Sequence, residues 1–73
     1  MKKASQLNFG EKVVINDIDV LSPHCNRLLE VGFTPGQQIE LVHKSFFDDP
    51  LAFALRGTII AIRKHEADSI TVI

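Results

Sequence analysis

His24 and Cys25 stand side by side and bring an imidazole next to a thiol, the combination that nucleophilic catalysis uses when the base reaches the sulfur. Neighbouring positions on a helix diverge by about 100°, so these two side chains do not face each other if the segment is helical. Cys25 also begins an inward stripe with Leu28 and Leu29, where a small hydrophobe is the commoner role of a cysteine. An enzyme is therefore not expected. Metal binding is the second chemistry these residues allow. His24, Cys25, His43 and His65 together offer the nitrogen and sulfur donors that borderline transition ions prefer, but their spacing matches no zinc finger or ribbon. Cys25 and His24 are the candidate metal ligands, set against the simpler reading that three histidines in 73 residues arise from composition alone. Asp48 and Asp49 are adjacent in a loop and read as a solvated turn rather than a catalytic carboxylate pair.

Phe46 and Phe47 suggest recognition instead of catalysis. Two adjacent phenylalanines at the end of a strand cannot both point inward, so one is expected to reach solvent as an apolar knob for another protein. The alternative is a loop that folds back and buries both. Phe9, Phe33 and Phe53 are placed by position in the core. The chain has no Trp and no Tyr, which argues against polyproline grooves and base-stacking platforms. Eight basic and nine acidic side chains nearly cancel and are scattered, so no concentrated basic face is expected for nucleic acid.

The elements that must position these residues are short. Glu11 to Ile18 is rich in β-branched residues and reads as a strand. Ala4 to Leu7 precedes it as one helical turn that lays Leu7 on the core. Ser22-Pro23 opens a helix, with a hydroxyl cap followed by the residue preorganised for the first helical position. The helix runs to Val31, with His24, Asn26, Arg27 and Glu30 facing outward. Gly32 ends it in the left-handed region, Phe33 folds back on Leu28, and Thr34 to Gln37 forms a type II turn around Pro35-Gly36.

Ile39, Leu41 and His43 then alternate with Glu40, Val42 and Lys44, and Leu51, Phe53 and Leu55 repeat the pattern. Gly57 turns a tight hairpin into Thr58 to Arg63, a polar turn spans Lys64 to Asp68, and Ser69 to Ile73 is a last strand. The expected core comprises Val13, Ile15, Leu28, Leu29, Phe33, Ile39, Leu41, Phe53, Leu55, Ile60 and Ile62. Five short strands favour a closed or nearly closed barrel, because closure removes exposed edges.

At 45% hydrophobic and 23% charged, the composition is that of a soluble globule, and a chain of this length forms one domain over residues 1–73. It contains no apolar run of membrane-spanning length and no signal-peptide core. A single cysteine suits a reducing, cytoplasmic compartment.

The pattern Arg27-Leu28-Leu29-Glu30-Val31-Gly32-Phe33-Thr34-Pro35-Gly36, with Leu7, Gly10, Asp49-Pro50, Arg56-Gly57 and Ala61-Ile62-Arg63-Lys64-His65-Glu66-Ala67, resembles the FeoA family of ferrous iron transport accessory proteins. The family's usual loop resembles P-L-G-D-P, where this chain has Phe46-Phe47-Asp48-Asp49-Pro50. The resemblance implies a mainly β fold: a small five-stranded SH3-like barrel with one α-helix inserted between the first and second strands. It implies a non-enzymatic role in which the protein binds and modulates FeoB, the membrane permease with a GTP-binding domain, without inserting into the membrane. Arg27, Phe46 and Phe47 become the expected partner-binding residues, with no required cofactor. The alternatives are a sensor that binds Fe(II) or another transition metal ion, or the SH3-like domain of a DtxR-type iron-dependent repressor. A start only a few residues before the barrel favours the self-standing accessory protein.

Overall fold

Gly32 has φ +118° and ψ 0°, and the helix before it ends in a complete Schellman motif. The Phe33 N–H donates to Leu28 O at 2.9 Å and the Gly32 N–H to Leu29 O at 3.2 Å, so two carbonyls left over at the helix end are satisfied. Phe33 is thereby turned under the helix, where it is fully buried and meets Phe53 edge to face, ring centroids 5.9 Å apart. The following turn closes as a type II turn, with Gly36 at φ +89° and Gln37 N–H on Thr34 O at 3.0 Å. Helix, aromatic core and next strand are thus linked within a few residues.

The computed structural model describes every residue apart from the side chain of Asp48, so that part of the Asp48-Asp49 reading lies outside the described residues. In chain order the elements are β1 (Lys2–Lys3), a 3-10 turn (Ala4–Gln6), β2 (Lys12–Ile18), α1 (Cys25–Val31), β3 (Gln38–Lys44), a second 3-10 turn (Phe46–Asp48), β4 (Leu51–Leu55), β5 (Thr58–Ile62), α2 (Lys64–Ala67) and β6 (Ile70–Val72). The strands form one antiparallel arrangement in the order β1-β6-β2-β3-β4-β5. The fold is mainly β and SH3-like, with β1 as a two-residue strand beyond the five expected.

Two bulges explain where simple alternation fails. In β2 the register slips between Ile15 and Asp17, so Ile15 and Ile18 both point inward although they are three positions apart. The same bend lets β2 change partner: Lys12–Val14 pair with β3, and Ile15–Ile18 with β6. In β3 the slip between Leu41 and His43 reverses the facing, so His43 is exposed instead of continuing the inward face of Ile39 and Leu41. One unpaired residue inverts everything after it.

Other expectations need correction. The α-helix begins at Cys25, three residues after Ser22, because Ser22 and Pro23 form a preceding turn in which the Ser22 hydroxyl accepts the His24 N–H at 3.1 Å. Phe9 is 74% exposed, since Gly10, at φ +82°, turns the chain before β2 starts. Lys64–Ala67 is a single helical turn instead of an irregular polar one. Val13, Leu29 and Ile60 are half-buried against a core that contains the remaining predicted residues together with Ile18, Leu51, Ile70 and Val72 among others. Arg56 and Gly57, at φ +51° and +75°, make the hairpin a type I′ turn.

Candidate functional site

Arg27 leaves the outer face of α1 and donates through its guanidinium to Glu66 Oε2 on α2. Glu66 is a charged side chain only 5% exposed, and both of its oxygens are engaged. Oε1 accepts the Arg63 N–H at 2.8 Å, which satisfies a free amide at the start of α2 in the manner of a capping box. Burial alone would raise the pKa of this carboxyl. The Arg63 N–H, the Arg27 guanidinium and the nearby His24 outweigh that effect and hold it below its ordinary value.

Asp49 ties the loop between β3 and β4 to the same corner. Its Oδ1 accepts the Lys64 N–H at 3.0 Å and lies 3.9 Å from the Arg63 guanidinium. Arg27, Glu66, Arg63 and Asp49 therefore form one connected cluster across α1, α2 and the loop. His24 adds to its edge, with Nδ1 at 3.9 Å from Glu66 Oε2 and its ring 5.0 Å from that of His65.

The loop itself presents Phe46 and Phe47, which are 82% and 87% exposed. Both rings reach solvent, where only one was expected to. They stack edge to face with centroids 4.4 Å apart. Phe47 adopts φ +65°, a left-handed conformation that is unfavourable for a bulky side chain.

The candidate metal ligands separate. Cys25 is a free thiol packed in the core cluster, whereas His24 lies over α2 beside His65 and Glu66. His43 is exposed on β3. Among the described residues no group of three metal-donor side chains is placed to hold an ion, and no helix is long and apolar enough to cross a membrane.

A family model for the FeoA domain matches residues 2–73. The chain belongs to the FeoA domain family. Solved FeoA structures agree with this. Iron(II) transport protein A from Clostridium thermocellum is 34% identical with a TM-score of 0.89, over 97% of this chain and 44% of that one. FeoA from Stenotrophomonas maltophilia, solved with zinc and described as a prokaryotic SH3 domain protein, is 26% identical with a TM-score of 0.86, over 100% of this chain and 91% of that one. IdeR from T. acidophilum shares the fold, at 21% identity and a TM-score of 0.84, over 97% of this chain and 32% of that one. This FeoA domain therefore spans less than half the length of the Clostridium relative and about a third of IdeR. No curated protein matches the chain in sequence.

Within this FeoA domain, sequence reasoning singled out Arg27 but not its partner Glu66, nor the roles of Arg63 and Asp49. A local signal was available for one of them. Arg63 and Glu66 have the three-residue spacing in which a glutamate reaches back to the backbone amide of the residue that caps a helix.

Proposed function

We propose that residues 1–73 act as a single, non-enzymatic cytoplasmic domain of ferrous iron transport that docks on FeoB and modulates it. Membership of the FeoA family supports the transport role. The Stenotrophomonas relative is itself described as a candidate activating factor of ferrous iron transport. The observation that carries the docking reading is the aromatic pair: Phe46 and Phe47 stand together in solvent at a loop tip, and Phe47 does so in an unfavourable backbone conformation. Phenylalanine, like the other aromatics, is enriched at the cores of protein interfaces relative to the rest of the surface. Arg27, half-exposed beside its carboxylate partner, supplies a polar rim. Ferrous ion enters this reading as the cargo of the transporter, and the domain works by contact.

The test is a pull-down of FeoB by the parent protein and by a Phe46→Ser/Phe47→Ser double variant, with and without a GTP analogue and Fe(II) under anaerobic conditions. Loss of FeoB from a variant whose circular dichroism is unchanged supports the reading. Equal retention by both proteins places docking on another face.

A further inference from the structure

We propose that the groove between α1 and the corner joining β5 to α2 receives a carboxylate-bearing side chain from an extended acidic segment of a partner protein. The inference rests on the docking reading above and names the chemistry of what docks. The groove has a volume of about 290 Å³ and is lined by Arg27, Pro50, Ala61, Ile62, Arg63 and Glu66. That is small for a nucleotide or cofactor, since pockets for such ligands begin at about this size. It suits one amino-acid side chain.

The chemistry of its walls selects which one. Pro50, Ala61 and Ile62 give an apolar floor, and Arg27 and Arg63 bring two guanidiniums to the rim. Each guanidinium carries five N–H donors and accepts nothing. Arg27 uses its bond to Glu66, which steadies the group and leaves donors over. Arg63 makes no side-chain hydrogen bond among the described residues, its nearest anion being Asp49 Oδ1 at 3.9 Å, and its side chain is 61% exposed. Glu66 accepts one hydrogen bond on each oxygen, from the Arg63 N–H and from Arg27, and its charge offsets that of Arg27, while the Arg63 fork keeps its side-chain donors free of any hydrogen bond among the described residues.

The groove thus has a surplus of forked donors facing an apolar floor. A carboxylate at the end of a methylene stem meets both features, pairing with the forks while its stem covers Pro50 and Ala61. A free phosphate would meet only the first. β5 pairs with β4 and stands last in the sheet order, so the groove follows an end strand, along which an extended segment can lie.

Short random peptides displayed on phage, selected against the intact protein, test this directly. Selected sequences should place Asp or Glu beside an apolar residue. In fluorescence polarisation with the best of them, exchanging the acidic residue for its amide should weaken binding about tenfold, and Arg63→Ala should do the same. Arg63→Ala removes no hydrogen bond of the fold, because the contact to Glu66 comes from the backbone N–H. Ala61→Asp, at an exposed position, should abolish binding by like-charge repulsion. Selected peptides without an acidic residue, binding that ignores Arg63→Ala, or ready displacement by inorganic phosphate would overturn the proposal. FeoB binding separates the two readings. If FeoB binds Arg63→Ala as it binds the parent but is lost from the Phe46→Ser/Phe47→Ser variant, the groove proposal fails and docking through Phe46 and Phe47 stands. If the acidic peptides bind the groove while FeoB never associates, the groove stands and the FeoB assignment fails.

Discussion

The Arg27 guanidinium on α1 is bonded to Glu66 Oε2 on α2, across 39 positions of the chain, and so joins the helix that precedes β3 to the helix that follows β5. Arg27 consequently has two roles that one substitution cannot separate. Arg27→Glu would set a second carboxylate against a buried one, so a loss of partner binding in that variant would report on folding as well as on the surface. Arg63 is the cleaner probe of the same face.

Acid should weaken this corner. Because the pKa of Glu66 is lowered on folding, the stabilisation it gives is present above the ordinary carboxylate value and is lost as pH falls through the folded value. Urea unfolding at neutral pH and near pH 3 should show a larger loss in the parent than in Glu66→Gln, which keeps only the share of Glu11, a carboxyl also held below its ordinary value by the Asn8 N–H and Lys2. At neutral pH the Gln variant should be less stable by about 1.5–3 kcal/mol, the usual worth of a hydrogen bond to a charged group. A variant with the parent's acid sensitivity would mean that other carboxylates govern it.

Gly32→Val should lower stability by at least about 1 kcal/mol, since a β-branched residue is held at positive φ. Space adds to the cost, because a Cβ there would sit 3.2 Å from Leu55 Cδ1. A thermal melt should fall by about 4–8 °C per kcal/mol for a domain of this size. An unchanged melt would show that the helix end tolerates another conformation.

Phe47→Gly should raise stability while weakening association with FeoB. Glycine adopts φ +65° without the roughly 1–2 kcal/mol that a residue with a Cβ gives up there, a gain that exceeds the roughly 0.5–1 kcal/mol of extra freedom glycine loses on folding, but it removes one ring of the exposed pair. Opposite movements of the melt and of the binding isotherm are the signature. A variant that gains stability and keeps its affinity would assign Phe47 to the loop alone.

Cys25→Ser should cost about 1–2 kcal/mol by placing a hydroxyl in the core, and should leave FeoB association unchanged with or without Fe(II). Anaerobic calorimetry checks it. Tight stoichiometric Fe(II) binding by the parent that disappears in the variant would instead make the thiol a ligand.

Local signals were legible in the sequence and long-range ones were not. The Schellman end at Gly32, the type II turn at Pro35-Gly36 and the hairpin at Arg56-Gly57 are encoded within a few residues each, and all three form where expected. The bulges in β2 and β3 depend on register with β6 and β4, which no alternating pattern records, so His43 was misassigned to the inward face. Phe9 was misplaced for a similar reason, since hydrophobicity says nothing about a turn that leaves the side chain outside. The FeoA fold was readable through the motif around Gly32. The Arg27 to Glu66 contact was not, because it links segments 39 positions apart whose approach only the folded sheet determines.

Ser45 N–H donates to Pro50 O at 3.1 Å, closing the neck of the loop, and Asp49 anchors that neck to the first amide of α2. The segment carrying Phe46 and Phe47 is thus gathered at its base before any partner arrives. Much of the conformational freedom that a six-residue excursion would surrender on docking is already surrendered on folding. Cutting the tether with Asp49→Ala should therefore act at a distance on the aromatic pair: its contacts with a partner stay the same in kind, but the complex dissociates sooner, because a slack loop must be ordered each time it binds.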